Sequence, residues 1–217
     1  TYFKNDELIF TNGNSKLIND EVQIDARNFK YDKLNDIVYA SGNVKINNIK
    51  ENYLIFSDNV TYNKKLGKVF TKNNSKTISD GLLIEADTFH YYQNQNILEA
   101  RGKVIIEDKI EDYTLESEYV NYDKNLQKIF TQGKTKAIIE SKYEFNSRDV
   151  FLDRKLKELK SDYKSSIMDD NLNFYKLFKI IYFYKKKLLR GNDIEVESNY
   201  KTEKSDKFYF KNAFINF

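Results

Sequence analysis

Apolar and polar residues alternate in short runs along most of this chain. Val22, Ile24 and Ala26 are separated by Gln23 and Asp25, and Val44 and Ile46 by Lys45. The same spacing recurs at Leu82, Ile84 and Ala86 and at Val104 and Ile106. A period of two places alternate side chains on opposite faces of an extended chain, so these runs predict half-buried β-strands. Clusters of Asn, Asp, Lys, Gly and Gln at 32–36, 63–68, 93–96 and 123–127 predict the turns between them. The alternation slips by one residue between Ala26 and Phe29, and again between Ala86 and Phe89, which predicts a β-bulge at each place. Gly42 and Gly102 fall inside strands, where glycine marks a bend or a close backbone approach.

The pattern is internally repeated. Aligned without gaps, residues 21–80 and 81–140 share 21 identities in 60 positions, among them Ile24/Ile84, Ala26/Ala86, Phe29/Phe89, Tyr31/Tyr91, Gly42/Gly102, Val60/Val120 and Ile78/Ile138. Residues 1–20 match 61–80 at 10 of 20 positions, so the sequence starts in mid-repeat and an unpaired sheet edge is expected there. A half-repeat lies inside each unit: Tyr31, Tyr62, Tyr91 and Tyr122 are spaced by 31, 29 and 31 residues. Its echo at Ser147, Val150 and Leu152 predicts that strands continue past residue 150. Segment 154–162 has helical propensity, but the repeat assigns it to a strand. The expected fold is all-β and elongated, with thirteen or fourteen short strands in a single domain over 1–217.

Composition narrows the chemistry. The 217 residues contain no Cys, Pro or Trp, one His, and 33 Phe plus Tyr (16 and 17). Without cysteine there is no disulfide framework, thiolate metal site or cysteine nucleophile. A net charge of +3 does not call for nucleic acid as a partner. No apolar run reaches the roughly 18–20 residues that a membrane-spanning helix needs.

Candidate catalytic groups are sparse. His90 aligns with Lys30, so an outward, solvated strand position is expected. The carboxylates Glu107, Asp108, Glu111 and Asp112 could in principle serve glycoside hydrolysis, but they align with Asn47, Asn48, Glu51 and Asn52. They read as solvated hairpin charges. Between Phe174 and Gly191, aromatics interleave with Lys185, Lys186, Lys187 and Arg190. The expected arrangement there is an aromatic core face with solvated lysines, and anionic headgroups are a second reading. No catalytic, metal or cofactor site is expected. The inventory that remains is the repeat-locked apolar set, which suits either a closed core or a partly open slot for an apolar ligand.

The pattern Ile24-Asp25-Ala26-x-x-Phe29-x-Tyr31-Asp32, followed by Ala40-x-Gly42-Asn43-Val44-x-Ile46 and repeated at Ile84–Tyr91 and Ala100–Ile106, resembles the OstA-type domain of the lipopolysaccharide-transport family. That family includes LptA, LptC and the N-terminal part of LptD. The resemblance covers residues 1–152. The tail, with Leu188–Glu195, Ser205–Phe210 and Phe214, looks like the stretch of LptD-type proteins that precedes their outer-membrane barrel, so 153–217 is expected to be the divergent end beside such a barrel. The absence of cysteine departs from the LptD pattern. The resemblance implies an open, V-shaped β-jelly roll of antiparallel strands whose hydrophobic lumen carries lipid A acyl chains. It implies a periplasmic location attached to the outer membrane. The implied partners are lipopolysaccharide, an LptA-like bridge protein docked by edge-strand addition, and an LptE-like lipoprotein. The lumen residues expected on this basis are Val22, Ile24, Ala26, Phe29, Val44, Ile46, Leu82, Ile84, Ala86, Phe89, Val104, Ile106, Val120 and Ile138.

Overall fold

The computed structural model describes residues 2–3, 7–18 and 21–217, which form an all-β, antiparallel structure. Its only helical pieces among the described residues are two single 3-10 turns, Gln93–Gln95 and Tyr184–Lys186. The chain divides into two compact units, 1–106 and 107–217, taken separately below.

In the first unit the strands Leu8–Ile18, Val22–Asp32, Ile37–Asn48 and Tyr53–Asn63 each pair antiparallel with the next. Two broken strands follow, Lys68–Lys72 with Ser75–Ser79 and Leu82–Ala86 with Thr88–Tyr92, before Ile97–Asp108 begins. The second unit repeats this meander. Tyr113–Asp123 and Lys128–Ile139 lead into two broken strands, Tyr143–Arg148 with Phe151–Asp153 and Glu158–Ser161 with Ser165–Met168. Phe174–Phe183, Leu188–Ser198 and Asp206–Asn216 close the series. Counting each broken strand once gives fourteen courses, and segment 154–162 is a turn and a strand, as the repeat requires.

Turn chemistry sets the thirty-residue beat. Asp36, Gly67, Asn96, Gln127, Lys157 and Lys187 all have positive φ, between 51° and 59°, at every second hairpin. Short Asx side chains hold several of these turns: Asp32, Asn63, Asp123 and Asp153 accept the backbone N–H of the residue three positions later at 2.8–3.0 Å.

Every course is interrupted or register-shifted near its middle, or lies beside one that is. Register shifts fall between Asn12 and Ser15, Asp25 and Asn28, Ser41 and Val44, and Ser117 and Tyr119, which bears out the slip at Ala26–Phe29. Gly42 takes φ +81°, and a Cβ there would lie 2.8 Å from Arg27 Cβ; Gly102 takes φ +76° against Asp87 in the same way. Both glycines therefore serve conformation and close approach together. A bulge frees backbone N–H groups, and a threonine recurring every sixty residues receives them. Thr11 Oγ1 accepts from Phe29 N at 3.2 Å, Thr71 Oγ1 from Phe89 N at 2.8 Å, and Thr131 Oγ1 from Val150 N at 2.8 Å. Thr71 and Thr131 are fully buried, and their hydroxyls also meet Ser75 and Thr135 at 2.6 Å.

The inward face of both units is apolar. Thirteen of the fourteen residues expected there are buried: Val22, Ile24, Ala26, Phe29, Val44, Ile46, Leu82, Ile84, Ala86, Phe89, Val104, Ile106 and Val120. Ile138 is the correction. It is exposed, and Ala137 and Ile139 point inward instead. Inward positions on this strand are odd-numbered on both sides of its mid-strand irregularity, Ile129 and Thr131 before it and Thr135, Ala137 and Ile139 after it, so the even-numbered Ile138 falls on the outer face. Its repeat partners Ile18 and Ile78 are exposed for the same reason.

Replacing Thr131 by Val keeps the shape but leaves the buried Val150 N–H without its acceptor. The expected loss is about 1–3 kcal/mol in urea unfolding, in line with a stranded buried donor. Unchanged stability would show that the hydroxyl spine does not hold the bend.

Candidate functional site

The interior face is closed by a seam of side chains. Turns alternate between the two ends of the strands, with 48–52, 108–112 and 139–142 at one end and 93–96, 153–157 and 184–187 at the other. A straight strand of eleven residues would hold these ends about 36 Å apart. They are nevertheless in contact. In the first unit Gln93 Nε2 donates to Tyr53 OH at 2.9 Å, Asn48 Nδ2 donates to the same oxygen at 3.2 Å, and the Tyr53 and Tyr91 rings meet edge-on at 4.8 Å. In the second unit Arg154 Nη2 donates to Asp108 Oδ2 at 2.9 Å, Lys185 Nζ lies 3.1 Å from Glu111 Oε2, and Lys187 Nζ lies 2.9 Å from Glu140 Oε2. Lys157 also donates to Glu111. The strands that join these turns are therefore folded until their two halves face one another, and the contacts named here between opposite ends are all made by side chains.

Of the acidic groups at 107–112, Asp112 and Glu107 reach solvent as expected, whereas Asp108 and Glu111 do not. Asp108 is fully buried and Arg154 nearly so. Asp108 Oδ1 also caps its own turn, accepting from Ile110 N at 3.1 Å and Glu111 N at 3.0 Å. Arg154 donates further to Tyr122 OH and to Gln127 Oε1. Nothing in the spacing of 107–112 revealed this, because the partner lies 46 residues away. Burial raises the Glu111 pKa, but hydrogen bonds from Lys157 and Lys185 more than offset it and leave the carboxyl below its ordinary range.

Behind the seam lies a lining of buried tyrosines. Tyr113 and Tyr184 face each other with ring centroids 6.2 Å apart, and Tyr143 and Tyr182 with centroids 6.5 Å apart. The hydroxyls of Tyr113, Tyr182 and Tyr184 are buried without a hydrogen-bond partner among the described residues. Burial pushes the Tyr53 phenol up to about 12, and those of Tyr113, Tyr182 and Tyr184 higher still. Tyr113 and Tyr184, with Leu115, Ala137, Ile139, Leu152 and Leu159, also line a gap of about 10 Å³. That is room for little more than one water-sized group.

The segment 174–191 divides its aromatics by type. Tyr175, Tyr182 and Tyr184 are buried, whereas Phe174, Phe178 and Phe183 lie outward beneath Lys176, Lys179 and Lys186 at 5.6–5.8 Å. Of the lysines expected to be solvated, Lys185 and Lys187 are engaged across the seam. His90 is on the outer face, as expected, with its ring against Phe70 at 4.8 Å. Among the described residues no three His, Cys, Asp or Glu side chains cluster to hold a metal, and no helix is long and apolar enough to cross a membrane.

Asp108→Asn strands the Arg154 charge in a buried site and is expected to cost about 3–5 kcal/mol of folding stability. The exposed pair Lys176–Glu195, broken by Lys176→Ala, should cost less than about 1 kcal/mol. Equal losses in urea unfolding would contradict the buried role of the seam pair.

Comparison of the chain with protein-family models and with curated proteins finds no match.

Proposed function

We propose that this chain is a lipid-carrying domain of the OstA type, the periplasmic N-terminal part of an LptD-like outer-membrane assembly protein. On this reading its folded sheet is the V-shaped jelly roll of that family, and the acyl chains of lipopolysaccharide pass between its two halves. The observation that carries the reading is the interior: an apolar face running strand after strand, shut by side chains alone, with three buried phenol hydroxyls lacking acceptors. An acyl ester or amide carbonyl would satisfy those hydroxyls while its hydrocarbon meets the aliphatic lining. A conduit needs modest, non-directional attraction at successive positions, and repeated aliphatic strands supply it.

The sheet edges suit the proposed partners. Leu8–Ile18 pairs on one side with Val22–Asp32, and on the other with Tyr2–Phe3 at Leu8 and Ile9 only. The rest of that edge is open among the described residues, which fits strand addition by an LptA-like bridge subunit. At the other terminus Asp206–Asn216 exposes Phe208, Tyr209, Phe210 and Phe214. This is the side where an outer-membrane barrel and an LptE-like lipoprotein would lie.

The tight interior favours a second reading. Ile24, Ile84, Leu115 and Ile129 have no exposed surface, as in a purely structural β-array with a closed core. Photo-crosslinking side chains at Ile24 and Ile84, against Asp25 and Glu85 on the outer face, separate the two. The carrier reading expects lipopolysaccharide on the inner pair and about tenfold less on the outer pair. Equal labelling of both pairs, or none on either, would sink it and leave the closed array.

A further inference from the structure

The outer face of the first unit carries a groove that the lipid reading does not use. It is a recess of about 350 Å³ across four adjacent strands. Two rows of outward side chains line it. In one row Phe10 is opposite Lys30, Lys30 opposite Tyr39, and Tyr39 opposite Thr61. In the other, two residues along each strand, Asn12 is opposite Asn28, Asn28 opposite Ser41, and Ser41 opposite Asn59. Four strands at the usual spacing make each row about 14 Å long, with the rows about 7 Å apart.

The chemistry of the rows is complementary. Lys30 Nζ sits between two rings, 5.9 Å from the Phe10 centroid and 5.5 Å from that of Tyr39. The two rings flank the ammonium, and Lys30 is one of the residues lining the recess. Asn12, Asn28 and Asn59 make no side-chain hydrogen bond among the described residues, so three amides present both donors and acceptors outward. Aromatic faces attract the positive edges of C–H groups, amides match paired hydroxyls, and a single cation matches one anionic substituent. A row of hydroxylated rings bearing a carboxylate or phosphate supplies all three.

The fold itself does not demand these residues. Sixty positions on, Asn12, Asn28, Tyr39 and Ser41 are replaced by Lys72, Thr88, Glu99 and Arg101. There Arg101 Nη2 pairs with Glu99 Oε2 at 3.3 Å on the same backbone frame. The other four row positions become Phe70, His90, Tyr119 and Asn121, so what sets the first repeat apart is Tyr39, the facing amides Asn12 and Asn28, and the lysine between two rings.

We infer that this outer groove of the strands Leu8–Ile18 to Tyr53–Asn63 is a binding site for an acidic oligosaccharide. It stands independently of the lipid reading, since it lies on the opposite face of the sheet. Calorimetric titration of the whole chain with hexagalacturonate, maltohexaose and inorganic phosphate tests it. Saturable binding of hexagalacturonate is expected, weakened about tenfold by Tyr39→Ala or Asn28→Ala and unchanged by Glu99→Ala at the matching position one repeat later. Lys30→Ala should remove the preference for the acidic oligosaccharide over maltohexaose. Circular dichroism of each variant separates loss of binding from loss of fold. No saturable oligosaccharide binding, equal binding by folded Tyr39→Ala and Asn28→Ala, or complete competition by inorganic phosphate would overturn the inference.

Discussion

The bend in the middle of each strand is the constraint on which the rest depends. A strand can fold back on itself only if it gives up ladder hydrogen bonds at the fold, and a buried N–H left unpaired there costs as much as the bend could gain. Thr11, Thr71 and Thr131 resolve this by offering a side-chain oxygen at the position where the neighbouring strand loses its partner. Glycine and asparagine at the same level, such as Gly42 with Asn43, accept the positive φ that the bulge needs. Because this device recurs in each repeat, neighbouring strands within a unit bend at the same level, as a crease.

Three features follow from the crease. Within each unit the inward positions on either side of it face one another as an apolar interior. The hairpins at opposite ends of the strands are brought together, so Asp108 meets Arg154 and Tyr53 meets Gln93 although they are far apart in sequence. The outer face acquires relief beside the bulges, where the rows led by Phe10 and Asn12 line a recess. The seam differs from an ordinary sheet edge in that side chains close it. Side-chain contacts can part and reform without breaking a strand ladder, and those in the second unit range from fully buried Asp108 to the half-exposed Lys187.

Much of this was legible in the sequence, for identifiable reasons. Strand alternation, the bulge at Ala26–Phe29 and the thirty-residue turn spacing are local signals, so Ile24, Ile84 and Phe89 could be placed inward before any coordinates. Ile138 was misplaced because an aliphatic residue looks the same on either face, although its neighbours Ala137 and Ile139 are the inward ones. Within the acidic turn at 107–112, Asp108 was misread because its burial depends on Arg154, a contact made by the crease and invisible to local pattern. The separation of tyrosines inward from phenylalanines outward in 174–184 was missed because hydropathy ranks the phenylalanines as the more buried. The seam and the groove had no sequence signal beyond a departure from the repeat at Tyr39 and Asn28.

The central claim is that the interior is reached by parting the seam, and tethering the seam tests it most directly. The chain has no cysteine of its own, so cysteines placed at Glu140 and Lys187 can be joined by a short, reducible bis-maleimide without side reactions. Binding of the fluorescent fatty acid cis-parinaric acid is then compared before tethering, after tethering and after reduction. Binding lost on tethering and restored on reduction is the predicted result; binding equally strong in the tethered protein would contradict the account.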